Sequence, residues 1–244
     1  NQSDRIMISH IAGTSDAAMY GVAYNLAMFL TFVLNAINAS YVPWIYEKIK
    51  DNKSSENQTI SLMLAILMGL MILCVIWYAP EIIVIMAGEQ YKAAIYVVAP
   101  VAMSLFLLLY CQFFINVEFY YEEKKMLIYG SIGAAILNII MNYIFIPAYG
   151  FVAAGYTTLM SYIVFALSNY YTMQLCLKKR QLIDNLYNYK GLFLIFVGFI
   201  VSGFLGVALY ENLVFRMAIT LAVLGLLIVN RNKFLGALKQ IRGK

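Results

Sequence analysis

The chain has 244 residues, 63% of them apolar and 12% charged, with a formal net charge of +5. Soluble domains run at about 45–50% apolar and about 25% charged, so a water-soluble fold is excluded, and continuous apolar runs of roughly 18 to 25 residues exclude the period-two alternation of a membrane β-barrel. What remains is an all-α polytopic transmembrane helix bundle, whose positive charge reads as membrane topology rather than as a nucleic-acid footprint.

The first residues, beginning at Asn1 without Met, read as the end of a span already in progress, so the chain is expected to be a fragment of a longer protein. Asp4 and Arg5 then fall roughly 10 to 15 Å below the outer end of this first helix, at the Gly13–Asp16 turn. A charge at that depth costs roughly 2.5 to 3.5 kcal/mol. The two either neutralise each other within the bundle or face a cavity. The next span, roughly 17 to 44, carries Asn25, Asn35 and Asn38 on one stripe. A span over roughly 58 to 80 follows, and Glu81 and Glu89 then flank an outer loop. Both these and His10, near an outer helix end, suit solvated positions.

The span over roughly 91 to 117 contains Pro100, which predicts a kink, and Gln112 and Asn116 recur at a four-residue step. Glu118, at its end beside Tyr120 and Tyr121, suits snorkelling to the interface. In the span over roughly 126 to 147, Ser131, Ala135, Asn138 and Asn142 step along one face. Pro147 to Gly150 reads as a hairpin, Pro ending one helix and Gly permitting the reversal. Beyond it, in the span over roughly 151 to 177, Gly150, Ala154 and Thr158 recur every four residues beside Ala153, Thr157 and Ser161. Lipid gives no hydrophobic drive for helix association, so this small face is expected to pack closely against another helix. The carboxamides either bond between helices or, taken together, line one water-filled cavity. Two more spans, roughly 191 to 210 and 213 to 230, complete the chain.

Trp44, Tyr46, Trp77, Tyr78, Tyr120, Tyr121, Tyr187 and Tyr189 fall at or just past span ends, where amphipathic rings suit the headgroup layer. Alternate connections differ in charge. One set holds Lys48, Lys50, Lys53, Lys124, Lys125, Lys178, Lys179, Arg180, Lys190, Arg231, Lys233, Lys239, Arg242 and Lys244, 14 of the 17 Lys and Arg residues; the other holds Lys92 and Arg216. That asymmetry predicts a cytoplasmic C-terminus. Cys74, Cys111 and Cys176 lie within apolar runs and read as small buried hydrophobes. No metal-ligand spacing, phosphate loop or nucleophile–base pair is present, so neither a metal, a cofactor nor an enzymatic activity is expected.

The run Asn142, Ile146, Pro147, Gly150, Ala153, Ala154, Thr158, Ser161, Tyr162 resembles the centre of the C-terminal half of polysaccharide flippases, the oligosaccharide-lipid exporters of the multidrug/oligosaccharidyl-lipid/polysaccharide superfamily. Two further stretches are similar in position: Asp4, Arg5, Met7, Ile8 with Tyr20, and Pro80, Glu81, Ile82 with Gly88 and Tyr91. The sequence departs from that pattern at Ala153 and Gly155, where Gly and Ala are usual. The resemblance implies that residues 1–177 form the second six-helix lobe of a two-lobed, MATE-like transporter. Residues 178–190 would be a cytoplasmic linker, and 191–244 an extra helix pair with a basic tail.

It further implies alternating-access translocation of an undecaprenyl-diphosphate-linked oligosaccharide across the bacterial cytoplasmic membrane. Arg5 would hold the diphosphate, and Asp4, Asn25, Asn35, Asn38, Gln112, Asn116, Asn138 and Asn142 would line the cavity. The implied partners are the lipid-linked oligosaccharide, the membrane lipids, and the polymerase and glycosyltransferases of the same pathway. A cation-coupled multidrug exporter and a peptidoglycan-precursor flippase are alternatives within the superfamily. A membrane glycan polymerase or ligase is an alternative of another class.

Overall fold

The computed structural model describes residues 2–51, 53–123, 125–180, 182 and 186–229. Every regular element in them is helical: α1 (Gln2–Ile11), α2 (Thr14–Lys50), α3 (Ser54–Trp77), α4 (Ala79–Ala87), a 3-10 turn (Glu89–Ala94), α5 (Ile95–Tyr120), α6 (Lys125–Tyr149), α7 (Phe151–Lys179), α8 (Tyr189–Ala208) and α9 (Leu213–Val229). Among the described residues six helices, α2, α3, α5, α6, α7 and α8, are long and apolar enough to cross a membrane. The chain is therefore a multi-pass, all-α membrane protein. At 1.5 Å per residue α2, with its 37 residues, outruns a hydrocarbon layer of about 30 Å, so part of it projects beyond the layer. Successive antiparallel helices bring Lys48, Lys50, Lys53, Lys178, Lys179, Arg180 and Lys190 to one end, the basic end. The stretch 231–244 and Lys124 lie outside the described residues.

Helix α5 is the axis of the bundle. It is apolar all round, as a helix buried on every side must be, and it packs against α2, α3, α7 and α8. Helix α6 is outermost, resting on α7 and α1. The small face expected on α7 is buried: Ala153, Ala154, Gly155, Thr157, Thr158 and Ser161 all lie inside. Gly155 is the point of closest approach, since a Cβ there would stand 2.9 Å from Pro100 Cγ. Pro100, in the second turn of α5, thus fills a space that only a glycine leaves. Around it α5 runs as one helix from Ile95 to Tyr120.

Several expectations change. Pro147 does not end α6: the helix continues to Tyr149, and the reversal is made by Gly150 alone, at φ +66°, a conformation that favours glycine. The stretch after α3 is not a loop but the short helix α4 and the 3-10 turn. Glu81 is accordingly no free loop residue; it meets Arg216 of α9 through two hydrogen bonds of 2.6 and 2.8 Å. Tyr187 turns into the protein rather than out to its surroundings. Its ring is buried against Phe113, its hydroxyl donates to the Phe113 carbonyl at 2.7 Å, and next to it the Leu186 carbonyl accepts from Asn57 at 2.7 Å. The start of the α7–α8 connection is basic, but its end is plugged into the bundle between α2, α3 and α5.

Helix α8 docks on α3 through Trp77, whose indole donates to the Ser202 carbonyl at 3.0 Å while Gly206 leaves the ring its space. Helix α9 is held by Arg216. This guanidinium is 1% exposed and donates to Glu81, to the Trp77 carbonyl and to the Tyr210 carbonyl; Tyr78 donates to Thr220 at 3.1 Å nearby. A buried arginine left without its carboxylate is costly, so Glu81→Leu should destabilise the protein by roughly 3–5 kcal/mol, and Glu81→Leu combined with Arg216→Met should recover much of the loss. Thermal midpoints in detergent test this. The pH dependence follows from the same pair. Hydrogen bonds from Arg216 hold the Glu81 carboxyl below its ordinary value against the opposing effect of burial. Its contribution is therefore present above the unfolded value of about 4.3 and is lost as pH falls through the lower, folded value. The Glu81→Gln protein should lack that acid-side loss.

Candidate functional site: a buried carboxylate ring at membrane depth

Asp4 and Arg5 are neighbours in α1, and successive residues on a helix point about 100° apart. They do not neutralise each other: no ion pair joins them among the described residues. Asp4 turns inward and is fully buried. Arg5 turns outward and is exposed, its guanidinium lying across Gly21 of α2, where an added Cβ would stand 3.4 Å away.

Three neutral donors converge on the Asp4 carboxylate. Tyr20 of α2 donates to Oδ2 at 3.0 Å, Thr158 of α7 to Oδ2 at 3.3 Å, and Asn142 of α6 to Oδ1 at 2.8 Å. The bonds close into a ring. Asn142 also donates to Asn138 Oδ1 at 3.3 Å, and Asn138 donates to Thr158 Oγ1 at 3.4 Å. Thr157 donates to Asn142 Oδ1. Four helices thereby meet at one acid. The polar row of α6 and the small row of α7, separate faces in the sequence, are two walls of a single cluster. A hollow of about 220 Å³ opens beside it, lined by Ser3, Ser131, Asn138, Thr158, Ser161 and Tyr162 among others. The arrangement is one of donors around a carboxylate: it binds and orients, and it fixes α1 to α6 and α7.

The remaining carboxamides do not join this hollow. Asn38 accepts from Asn116 at 2.9 Å across the α2–α5 seam, a paired interhelical bond. Gln112, four residues before Asn116, keeps a buried oxygen without a partner among the described residues. Asn25 and Asn35 are exposed on α2, on the stripe that continues from Gly21 and Arg5 through Phe29 and Phe32. From Gly21 to Asn35 is roughly 21 Å along the helix axis. A single wet cavity holding all the carboxamides is thus replaced by a buried ring, a bonded pair and an open stripe.

Pro147, Gly150 and Ala154 shape the α6–α7 hairpin, whereas Thr158 belongs to the ring itself. Thr157 comes from the adjacent small row, whereas Tyr20 is the ring member that residue spacing alone did not single out. Tyr20 could have been found by its phenol, since a tyrosine well inside an apolar helix needs a partner for its hydroxyl. Among the described residues no group of three or more His, Cys, Asp or Glu side chains gathers as metal ligands.

Comparison with known proteins gives one curated relative at this level: protein 1 of the Lsg locus of Haemophilus influenzae, 26% identical over 140 residues, which are 57% of this chain and 35% of that protein. The match thus covers about a third of the relative's length. No protein-family profile matches the chain, and no solved structure matches it.

Asn142→Leu leaves Asp4 Oδ1 without its donor in a buried site, while Thr157 keeps only its bond to the Ala154 carbonyl. It should lower stability by about 1–3 kcal/mol. Asn25→Leu, on the open stripe, should change it by no more than about 0.5 kcal/mol. Thermal melts of the two variants in detergent separate the ring from the stripe.

Proposed function

We propose that this chain is the C-terminal lobe of a flippase that carries an undecaprenyl-diphosphate-linked oligosaccharide across the bacterial cytoplasmic membrane by alternating access, without chemistry on its cargo. The observation that carries the reading is Arg5. It is a guanidinium roughly 9 Å below the end of α1, exposed on a helical face, with no hydrogen bond or ion pair among the described residues. An uncompensated cation at that depth is expensive unless it meets an anion or water. A guanidinium grips phosphate oxygens bidentately and sheds its hydration readily.

The surroundings support an amphiphilic cargo. Below Arg5, toward the basic end, the open stripe of α2 alternates carboxamides (Asn25, Asn35) with rings (Phe29, Phe32), a surface that can meet sugar hydroxyls and apolar groups alike. Behind it the Asp4 ring locks α1 to α6 and α7, so that Arg5 is held on a rigid wall rather than on a loose helix end. A second lobe facing this stripe would close a central pathway, the arrangement of transporters built from two halves. The excess of Lys and Arg at one end supports a cytoplasmic position for that end and for the C-terminus. The Haemophilus influenzae relative supports a bacterial setting and, by its name, no particular activity.

In the full-length protein, Arg5→Ala at unchanged protein level should reduce export of the lipid-linked glycan by roughly tenfold or more, the equivalent of one charge-assisted bond of about 1.5–3 kcal/mol. Arg5→Lys should retain part of the activity. Complementation of an export-deficient strain, read as surface glycan against membrane-level protein, is the measurement. Normal export by Arg5→Ala would remove the assignment, and dye efflux without glycan export would transfer it to drug transport.

A further inference from the structure

Glu118 does not snorkel. It lies two residues from the basic end of α5, where its long side chain could reach water, yet it is 1% exposed and turned into the α5–α7 seam. Its Oε1 lies 2.5 Å from Thr172 Oγ1 of α7. Its Oε2 is buried with no partner among the described residues.

Donors around this carboxyl are few. Thr172 Oγ1 also lies 3.1 Å from the Asn169 carbonyl, which can only accept. A threonine has one hydroxyl hydrogen, and a bond to the carbonyl of a preceding turn is its usual use in a helix. Thr172 therefore serves Glu118 only in competition with the Asn169 carbonyl, and Oε2 has no donor at all among the described residues, so a neutral acid fits this buried site better than an anion. The charged groups nearby do not compensate an anion either. On the α5 side Tyr121 and Tyr120 follow, and Arg180 of α7 is engaged elsewhere, donating to the Tyr121 carbonyl at 2.7 Å and lying over its ring. Lys179 pairs with Glu123 at 2.5 Å. Cys176, one turn from Thr172, offers only a thiol, and from α2 Tyr46 packs on Tyr120 while Lys48 is paired with Glu56. Asp4 shows the opposite design, with three donors aimed at its two oxygens.

We propose that Glu118 is a proton-binding site: in this conformation it carries a proton and donates it to Thr172 Oγ1, so that opening the α5–α7 seam at the basic end is linked to release of that proton. The ligand is the proton itself, and the inference does not depend on the identity of the cargo. A carboxylic acid buried as the neutral form adds stability at low pH that fades as pH rises past the unfolded value of about 4.3, because the unfolded chain then releases the proton more readily.

The test is infrared difference spectroscopy on the full-length protein in lipid, wild type minus Glu118→Gln, at about pH 7. The expected result is a protonated-carboxyl band in the wild type that the variant lacks; Thr172→Val, which keeps the acid and removes its acceptor, should shift that band to a higher frequency. Absence of the band from the difference, with a carboxylate band in its place, would overturn the proposal. A second reading covers a variant that folds poorly. The wild-type thermal midpoint should fall between about pH 5 and about pH 8, and Glu118→Ala should remove most of that fall. An unchanged slope counts against the site.

Discussion

A buried carboxylate must find donors within the protein, because hydrocarbon supplies none. Asp4 meets that requirement with groups from three other helices, and the requirement organises the lobe. α1, described from Gln2 to Ile11, carries that acid. The Tyr20, Asn142 and Thr158 bonds set where it sits against α2, α6 and α7. α6 depends on the same bonds, since it lies at the edge of the bundle with its main contacts on α7 and α1. Remove the acid and the edge of the bundle loses the polar contact that distinguishes one register of α6 from its neighbours one turn away. A packed face of small residues alone does not make that distinction.

Much of this was legible before any coordinates. The four-, three- and four-residue steps of Ser131, Ala135, Asn138 and Asn142, and the four-residue steps of Gly150, Ala154 and Thr158, are helical rows, and rows must face something. What spacing cannot say is which row faces which. The joining residue, Asp4, lies more than a hundred positions away and carries no periodic signal of its own. Its neighbour Arg5 is equally polar and equally deep, and adjacency suggested an ion pair. Helical geometry separates the two instead, sending one into the protein and one out of it. Asn25, Asn35, Asn38 and Asn116 share one residue type, yet two pair across a seam and two stay open, a division set by which helix happens to lie opposite.

The failures of the sequence reading share a cause. Tyr187, Glu118 and Glu81 all lie close to a span end, where distance from the end alone predicts that a polar group reaches water. Each instead turns toward a partner on another element: Tyr187 to the Phe113 carbonyl, Glu118 to Thr172, Glu81 to Arg216. In a bundle whose ends are crowded by α4, by the 186–189 segment and by projecting turns of α2, the end of a helix is not the edge of the protein. Position along the chain measures depth in the membrane, whereas burial depends on neighbours that come from elsewhere in the sequence.

The two acids then differ in a way that composition hides. Asp4 receives three hydrogen bonds and has no bare oxygen, so its surroundings are complete when it is an anion. Glu118 shares one hydroxyl with a main-chain carbonyl and leaves its second oxygen bare, surroundings that suit the neutral acid better than the anion. Both lie on seams made with α7, Asp4 against Thr158 and Glu118 against Thr172, fourteen residues or roughly 21 Å apart along that helix. A movement of α7 that loosened both seams would expose a carboxylate at one level and release a proton at the other. The consequences for charge are opposite in form: at the first level a fixed negative charge loses its donors, and at the second a negative charge appears where there was none. Helix α7 is therefore the element through which charge at the middle of the membrane and charge at the basic end are tied to one another.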